Sequence, residues 1–347
     1  MMRRCSVEPR RTCDDGAGGA KVTDPSSWEW WRFAIRERRI VKLKAEGTIR
    51  MTAQSVIPTH GVRERTIIKS QIDLHIEELT RRGVTVIHDL YDESELGHAR
   101  EALGKLYERQ VEQIGGLERL KMINDANIVR SPLVYDDFFV RMAADPRVLA
   151  VVRAAIGDKV SLSSQVGVIS RPNVENYQQA WHRELQYQHF TSSRPLAVQT
   201  LVCIDPFTAE TGATFFLEGS HLFEKFPSDD YVRKYEWQSS APAGSALLFN
   251  SMVYHRGAAN RSRFNRIGVN NLYTIPIIHQ QIDLARMLGG RYSDRQDLRE
   301  LFGYEWNPAP DAQSWRNERI LRAEKARKSS ENPAMETAIT PTREPAA

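Results

Sequence analysis

Residues 241–266 read APAGSALLFNSMVYHRGAANRSRFNR. Pro242 and Gly244 make a turn, and Ala246-Leu247-Leu248-Phe249 is a short apolar run of the kind that forms a buried strand. His255 follows that run, and Arg266, eleven positions on, opens a second one, Ile267-Gly268-Val269-Asn270. Imidazole is a neutral ligand suited to Fe(II). A guanidinium suits two-pronged binding of a carboxylate. Arg261 and Arg263 compete with Arg266 for that task, but they lie in the Asn260–Arg263 loop, where a solvated role is expected.

Upstream stands Trp181-His182-Arg183-Glu184. On an extended chain side chains alternate, so His182 and Glu184 point to one side and Arg183 to the other. A His and a carboxylate so placed make two of the three ligands of a facial 2-His-1-carboxylate iron site, and His255 supplies the third. His-x-Glu alone is weak evidence. Its combination with His255 and Arg266 carries the reading. Three protein ligands leave three positions, two for a 2-oxo-acid chelate and one for O2, with Arg266 on the far carboxylate of the dicarboxylate cosubstrate.

Outward from this pair the chain is strand-like from Lys159. Short β-prone runs at 160–170, 198–204, 213–217, 245–250 and 266–275 are punctuated by turn residues. They predict an all-β sandwich or barrel core framed by helices. Before it, Ile72 to Leu79 reads as a helix ending at Arg82-Gly83, Val84–Ile87 as a strand, Leu96 to about Gln113 as a long amphipathic helix and 146–156 as another. Helical patterns return at 278–288, 294–302 and 312–326.

The chain has 347 residues and a formal charge of only +4. Residues 1–50 hold twelve Lys/Arg against seven Asp/Glu, so the body is close to neutral. Without a basic stripe carrying interleaved aromatics, a nucleic-acid partner is not expected. No apolar run approaches the roughly 18 residues of a membrane span, and no secretory h-region is visible. Cys5, Cys13 and Cys203 form neither a disulfide framework nor a CxxC site, which fits a reducing cytoplasm. Residues 1–50 read as a basic, partly disordered leader whose Trp28, Trp30, Trp31 and Phe33 begin a short helix, with Met51 as an alternative start. Residues 51–327 read as one domain with its β core at about 159–276, and 328–347 as a disordered tail.

Three stretches carry a family resemblance: WHRELQYQHFTSSRPLA (181–197), ETGATFFLEGSH (210–221) and the 241–266 segment. Together they resemble the phytanoyl-CoA dioxygenase family of Fe(II)/2-oxoglutarate oxygenases, from about Gly83 to Gln281. The family pattern is a His-x-Asp pair, a turn ending in Gly-Ser-His, a distal His after a Pro-Gly-led apolar strand, and an Arg about eleven residues later. The resemblance implies a double-stranded β-helix, or jelly roll, with helices packed around it. It also implies a dioxygenase that hydroxylates an unactivated C–H of a small metabolite and releases succinate and CO2. Desaturation or epimerisation on the same site is the alternative. Halogenation is disfavoured, because Glu184 fills the place that halide needs. A non-catalytic jelly-roll binding protein would not require His182, Glu184, His255 and Arg266 in this order, and a zinc hydrolase would leave Arg266 without a purpose.

Two departures stand out. The carboxylate is Glu184 where the family usually has Asp, and Gly257, two after the distal His, stands where many relatives carry a hydroxyl. Gln165, in the run before His-x-Glu, matches polar residues that approach the cosubstrate in relatives. Asn270 shares parity with Arg266 and is expected to face the interior. His221 is expected to serve the turn, and His189 is a candidate for the substrate pocket.

Overall fold

The structure, a computed structural model, describes residues 62, 64–174, 177–185 and 190–331. The chain divides into two units, Met1–Arg65 and Thr66–Ala347, and the architecture below belongs to the second. The expected leader and His189 lie outside the described residues, as does the tail from 332.

The second unit opens with helix α1 (Gln71–Arg81), started by a reciprocal cap between Ser70 and Asp73. Gly83 ends it at φ +81° and turns the chain into strand β1 (Val84–Ile87). Helix α2 (Glu93–Ile114) repeats the device, with Asp92 and Glu95 capping its start and left-handed Gly115 closing its end. Then come α3 (Leu117–Met122), β2 (Ile128–Arg130), α4 (Asp137–Ala143) and α5 (Pro146–Ile156). The strands of the core follow: β3 (Ser161–Ser170), β4 (Ala197–Cys203) and β5 (Phe215–Leu217). Helix α6 (Asp229–Tyr235) leads into β6 (Glu236–Gln238), β7 (Ala246–Asn250), β8 (His255–Arg256) and β9 (Arg266–Thr274). Helices α7 (Leu284–Leu288), α8 (Gln296–Leu301) and α9 (Ala312–Glu331) finish the described chain.

Six strands pair in the order β1-β7-β4-β9-β3-β2 and three more in the order β6-β5-β8, all antiparallel. The His-x-Glu segment extends the smaller sheet, because His182 bridges His255 through both backbone hydrogen bonds, at 3.0 and 3.1 Å. The two sheets face each other across a core that joins Val84, Leu201, Leu247 and Phe249 to Phe216. Phe216 and Phe249 meet edge to face at 5.1 Å. This is the expected β core, a jelly roll with flanking helices.

Strand alternation sorts the large sheet into two faces. Val198 and Val202 of β4, Leu248 of β7, and Ile267, Val269 and Tyr273 of β9 turn outward into a second, larger core. Leu79, Leu103, Phe139, Met142 and Val152 of the helices meet them there. The opposite parity, Gln199, Leu201, Phe249, Arg266 and Asn270, faces the smaller sheet. Gly244 sets the entry to β7: it sits at φ +80°, and a Cβ there would collide with the Tyr91 carbonyl. The expected strand at Val84–Ile87 joins the six-stranded sheet at one edge, and β2 joins it at the other.

Candidate metal centre

His182, Glu184 and His255 converge, with their ligating atoms all within 4.8 Å of one another. Backbone pairing positions them. The bridge to His255 fixes His182, and the Glu184 amide donates to the Ser251 carbonyl at 3.0 Å. Arg183 points the other way, as alternation requires. Its guanidinium donates to the carbonyls of Ser220 and Phe223 at 2.8 and 2.6 Å and lies 3.9 Å from the centre of the Tyr254 ring. That contact ties the His-x-Glu segment to the Gly219-Ser220-His221 turn. His221 is buried there, with Nε2 3.0 Å from the Thr80 carbonyl, and takes no part in the cluster.

The chemistry of the donor set fits a divalent cation. Nδ1 of His182 lies 2.8 Å from the Ala180 carbonyl, and Nδ1 of His255 lies 3.0 Å from that of Val253. A carbonyl only accepts, so each Nδ1 carries the ring proton and each Nε2 presents a lone pair. Nε2 of His255 faces Glu184 Oε1 at 3.1 Å. Two imidazole lone pairs and a carboxylate thus meet in one place, a donor set suited to a divalent cation. Burial pulls the His182 imidazolium below its ordinary pKa, aided by His255. Burial opposes the Glu184 charge, yet the two imidazoles beside it hold its carboxyl below the usual value. Phe249, with its ring 4.7 Å from that of His255, walls the site.

Arg266 lies in the same cleft, together with Asn270, Thr214 and Phe207. It is 7% exposed, and its guanidinium carbon stacks 4.1 Å from the Phe207 ring centre. Its Nε is buried without a hydrogen-bond partner, and among the described residues it forms no ion pair. Asp205, whose charge reaches it, is held instead by Arg100 at 2.7 Å. Burial pulls the Arg266 pKa down to about 10. Arg261 and Arg263 are exposed.

Gln165 is a correction. Its side chain leaves the cleft and faces the helices. Its Oε1 accepts from the Leu133 amide at 2.9 Å, and its Nε2 donates to the Phe139 carbonyl at 2.9 Å and to Asn271 at 2.8 Å. Asn271 passes the chain of hydrogen bonds to Thr200 at 3.1 Å. This ladder stitches β3, β9 and β4 together under α4. The cause is a bulge between Leu162 and Ser164, which inserts one residue and reverses the parity of β3 beyond it.

Gln199 was not legible beforehand. From the interior face of β4 its Nε2 donates to Glu184 Oε1 at 3.3 Å, so it orients the carboxylate. The signal was there: a lone amide in AVQTLVC, a run apolar but for it and Thr200. Gln199→Leu keeps the volume and removes the donor. Metal affinity should fall roughly tenfold, the lower end for loss of a group that orients a ligand, while thermal stability changes little. Titration with Ni(II), monitored by calorimetry, checks this.

The model of the phytanoyl-CoA dioxygenase (PhyH) family matches residues 79–268, more than half of the chain. The chain belongs to the phytanoyl-CoA dioxygenase family. It is a non-haem iron(II)- and 2-oxoglutarate-dependent dioxygenase that uses O2 and acts on small molecules. An uncharacterised protein of Mycobacterium tuberculosis is 31% identical over 214 residues, covering 60% of this chain and 77% of the relative. Dioxygenase af480 of Aspergillus fumigatus is 24% identical over 213 residues, 57% of this chain and 64% of that protein. Among solved structures, the epimerase SnoN in complex with Fe3+, alpha-ketoglutarate and nogalamycin RO is 16% identical at a TM-score of 0.45, covering 59% of this chain and 83% of its own. Iron-bound HygX from Streptomyces hygroscopicus is 17% identical at 0.46, covering 61% and 90%.

Proposed function

We propose that His182, Glu184 and His255 hold Fe(II), that Arg266 holds the distal carboxylate of 2-oxoglutarate, and that the enzyme hydroxylates an unactivated C–H of a small metabolite. The observation that carries this reading is Arg266: a buried cation beside the triad that forms no ion pair among the described residues. A buried unpaired charge is costly, and a carboxylate entering the cleft relieves that cost. Iron(II) held by the triad supplies the redox chemistry that couples O2 and 2-oxoglutarate to oxidation of the substrate, with succinate and CO2 released.

The remaining work belongs to the chain. The carbonyls of Ala180 and Val253 fix the tautomers that turn both Nε2 atoms to the metal. Gln199 orients Glu184, and Phe207 holds the Arg266 guanidinium flat. Asn270, whose Oδ1 is buried without a partner, adds a polar group to the wall where cosubstrate would lie. Gln165 has no part in this proposal.

The same reading makes 51–327 one oxygenase domain with a small-molecule substrate, without a nucleic-acid or membrane partner, working in the cytoplasm. It is supported by the near-neutral body and by Cys203, a buried free thiol. No described helix is long and apolar enough to cross a membrane. The test is a metabolite-library screen for substrate-stimulated succinate production, followed by the mass of the product. A gain of one oxygen atom supports hydroxylation. Loss of two hydrogens or an unchanged mass means desaturation or epimerisation instead, and absence of 2-oxoglutarate turnover with every compound overturns the reading.

A further inference from the structure

A second cavity of about 370 Å³ adjoins the metal cleft, and Val168 and Gln178 line both. Its size falls in the range of roughly 300–1,000 Å³ typical of small-molecule sites. Its walls are largely apolar: Tyr107, Leu117, Ile128, Val168 and Val174. Leu117 and Val174 are 39% and 41% exposed there, so apolar surface is offered to whatever enters. Among the described residues its charged groups are of one sign, Lys121 and Arg171.

The two cations are not equivalent. Lys121 is exposed at the rim, and its ammonium lies 2.7 Å from Glu118. Arg171 is half-buried and, among the described residues, forms no ion pair. It follows directly on β3, one residue beyond Ser170, which pairs with Arg266 of the metal cleft. Its guanidinium lies 5.1 Å from the ring centre of Tyr107, whose hydroxyl donates to the Ala126 carbonyl and so anchors the ring. Asn127, also on the wall, has no side-chain bond of its own within the described protein. A positioned planar fork on an aromatic floor, beside apolar walls and with no acid among the described lining residues, is a receptor for a carboxylate or a phosphate.

We propose that this cavity is the substrate pocket and that Arg171 selects a substrate with an apolar body and an anionic terminus. The anion is bound at Arg171, and the apolar body runs past Val168 and Gln178 to the triad. This rests on the metal-site reading above. Arg171 is therefore a specificity determinant that acts away from the reacting carbon.

The experiment titrates the full-length protein, loaded with Fe(II) and 2-oxoglutarate without O2, with octanoate, octyl phosphate, octanamide and 1-octanol, and with inorganic phosphate. Binding is read by calorimetry. At least one octyl anion should bind roughly ten- to a hundredfold more tightly than the neutral pair, and whichever anion wins tells carboxylate from phosphate. Arg171→Gln should erase that preference with 2-oxoglutarate affinity and melting temperature unchanged. Arg171→Lys should keep part of it, because the charge stays and the fork is lost, and this variant decides the matter should Arg171→Gln not fold. Arg261→Gln, at an exposed site, should change nothing. Equal binding of anionic and neutral probes, or a preference that survives Arg171→Gln, overturns the proposal. Inorganic phosphate binding as tightly as octyl phosphate overturns the apolar half. Repeating the series without iron and 2-oxoglutarate separates the readings: anion preference there, in a protein that never binds 2-oxoglutarate, refutes the metal site and leaves Arg171 standing.

Discussion

His255→Ala should abolish 2-oxoglutarate turnover while the protein keeps its fold. The backbone bridge between residues 182 and 255 involves amides and carbonyls only, so alanine retains it. What is lost is a ring stacked among Phe216, Phe249 and His182. Removing a buried ring of that size leaves a small cavity and lowers stability by about 2–3 kcal/mol, against a core built from both faces of the large sheet. With the ring goes one of the three proposed ligands of the metal. Succinate formation should drop to background, with a circular dichroism spectrum matching wild type and a melting temperature lower by several degrees. An unfolded variant would make His255 a structural residue and remove the basis for its role as a ligand.

Arg266→Lys should raise the apparent 2-oxoglutarate constant roughly ten- to a hundredfold. A hydrogen bond to a charged group is worth roughly 1.5–3 kcal/mol, and lysine keeps the charge but loses the two-pronged geometry. It also loses the flat stacking on Phe207 that fixes the guanidinium. Fe(II) affinity measured without cosubstrate should change little, since Arg266 is outside the cluster of ligating atoms. Arg261→Lys and Arg263→Lys, at exposed positions, should leave saturation by 2-oxoglutarate unaltered. The steady-state dependence on 2-oxoglutarate, measured for all three, checks the register: an effect at 261 or 263 and none at 266 would place the cosubstrate elsewhere.

The site was legible where period-two alternation runs unbroken. Trp181-His182-Arg183-Glu184 needed only that rule, and the structure puts Arg183 opposite its neighbours. Arg266 and Asn270 likewise share the cleft because no irregularity separates them on β9. Gln165 was carried over from the resemblance, and alternation along β3 would not have removed it. Counted from Leu162, which packs outward, it would face the interior, and the bulge at Ser163 reverses the count. Nothing in Ser161–Ser164 announces that extra residue. The long strands were visible as apolar runs between turns. Strand β8 has two residues and no pattern of its own, and it exists because β5 pairs with it. Helices α3, α4 and α6 span six or seven residues, too few for a 3.6-residue period to declare itself. Helix α9 was expected to stop near 326 and runs to Glu331, because its composition changes gradually where no breaker intervenes. Gln199 was hidden for another reason: a buried amide in a strand can stitch strands together, as Gln165 does, or orient a ligand, and only its partner tells which.

Adding 2-oxoglutarate to the Fe(II)-loaded protein without O2 tests the central claim most directly, because the weak visible charge-transfer band of the complex appears only when one iron carries both the protein ligands and the 2-oxo-acid chelate. The wild type should develop the band saturably, Arg266→Lys should need roughly ten- to a hundredfold more 2-oxoglutarate to reach it, and His255→Ala should show none. A band that persists in His255→Ala, or a wild type that binds 2-oxoglutarate tightly without one, would contradict the assignment of His182, Glu184 and His255 as the metal's ligands.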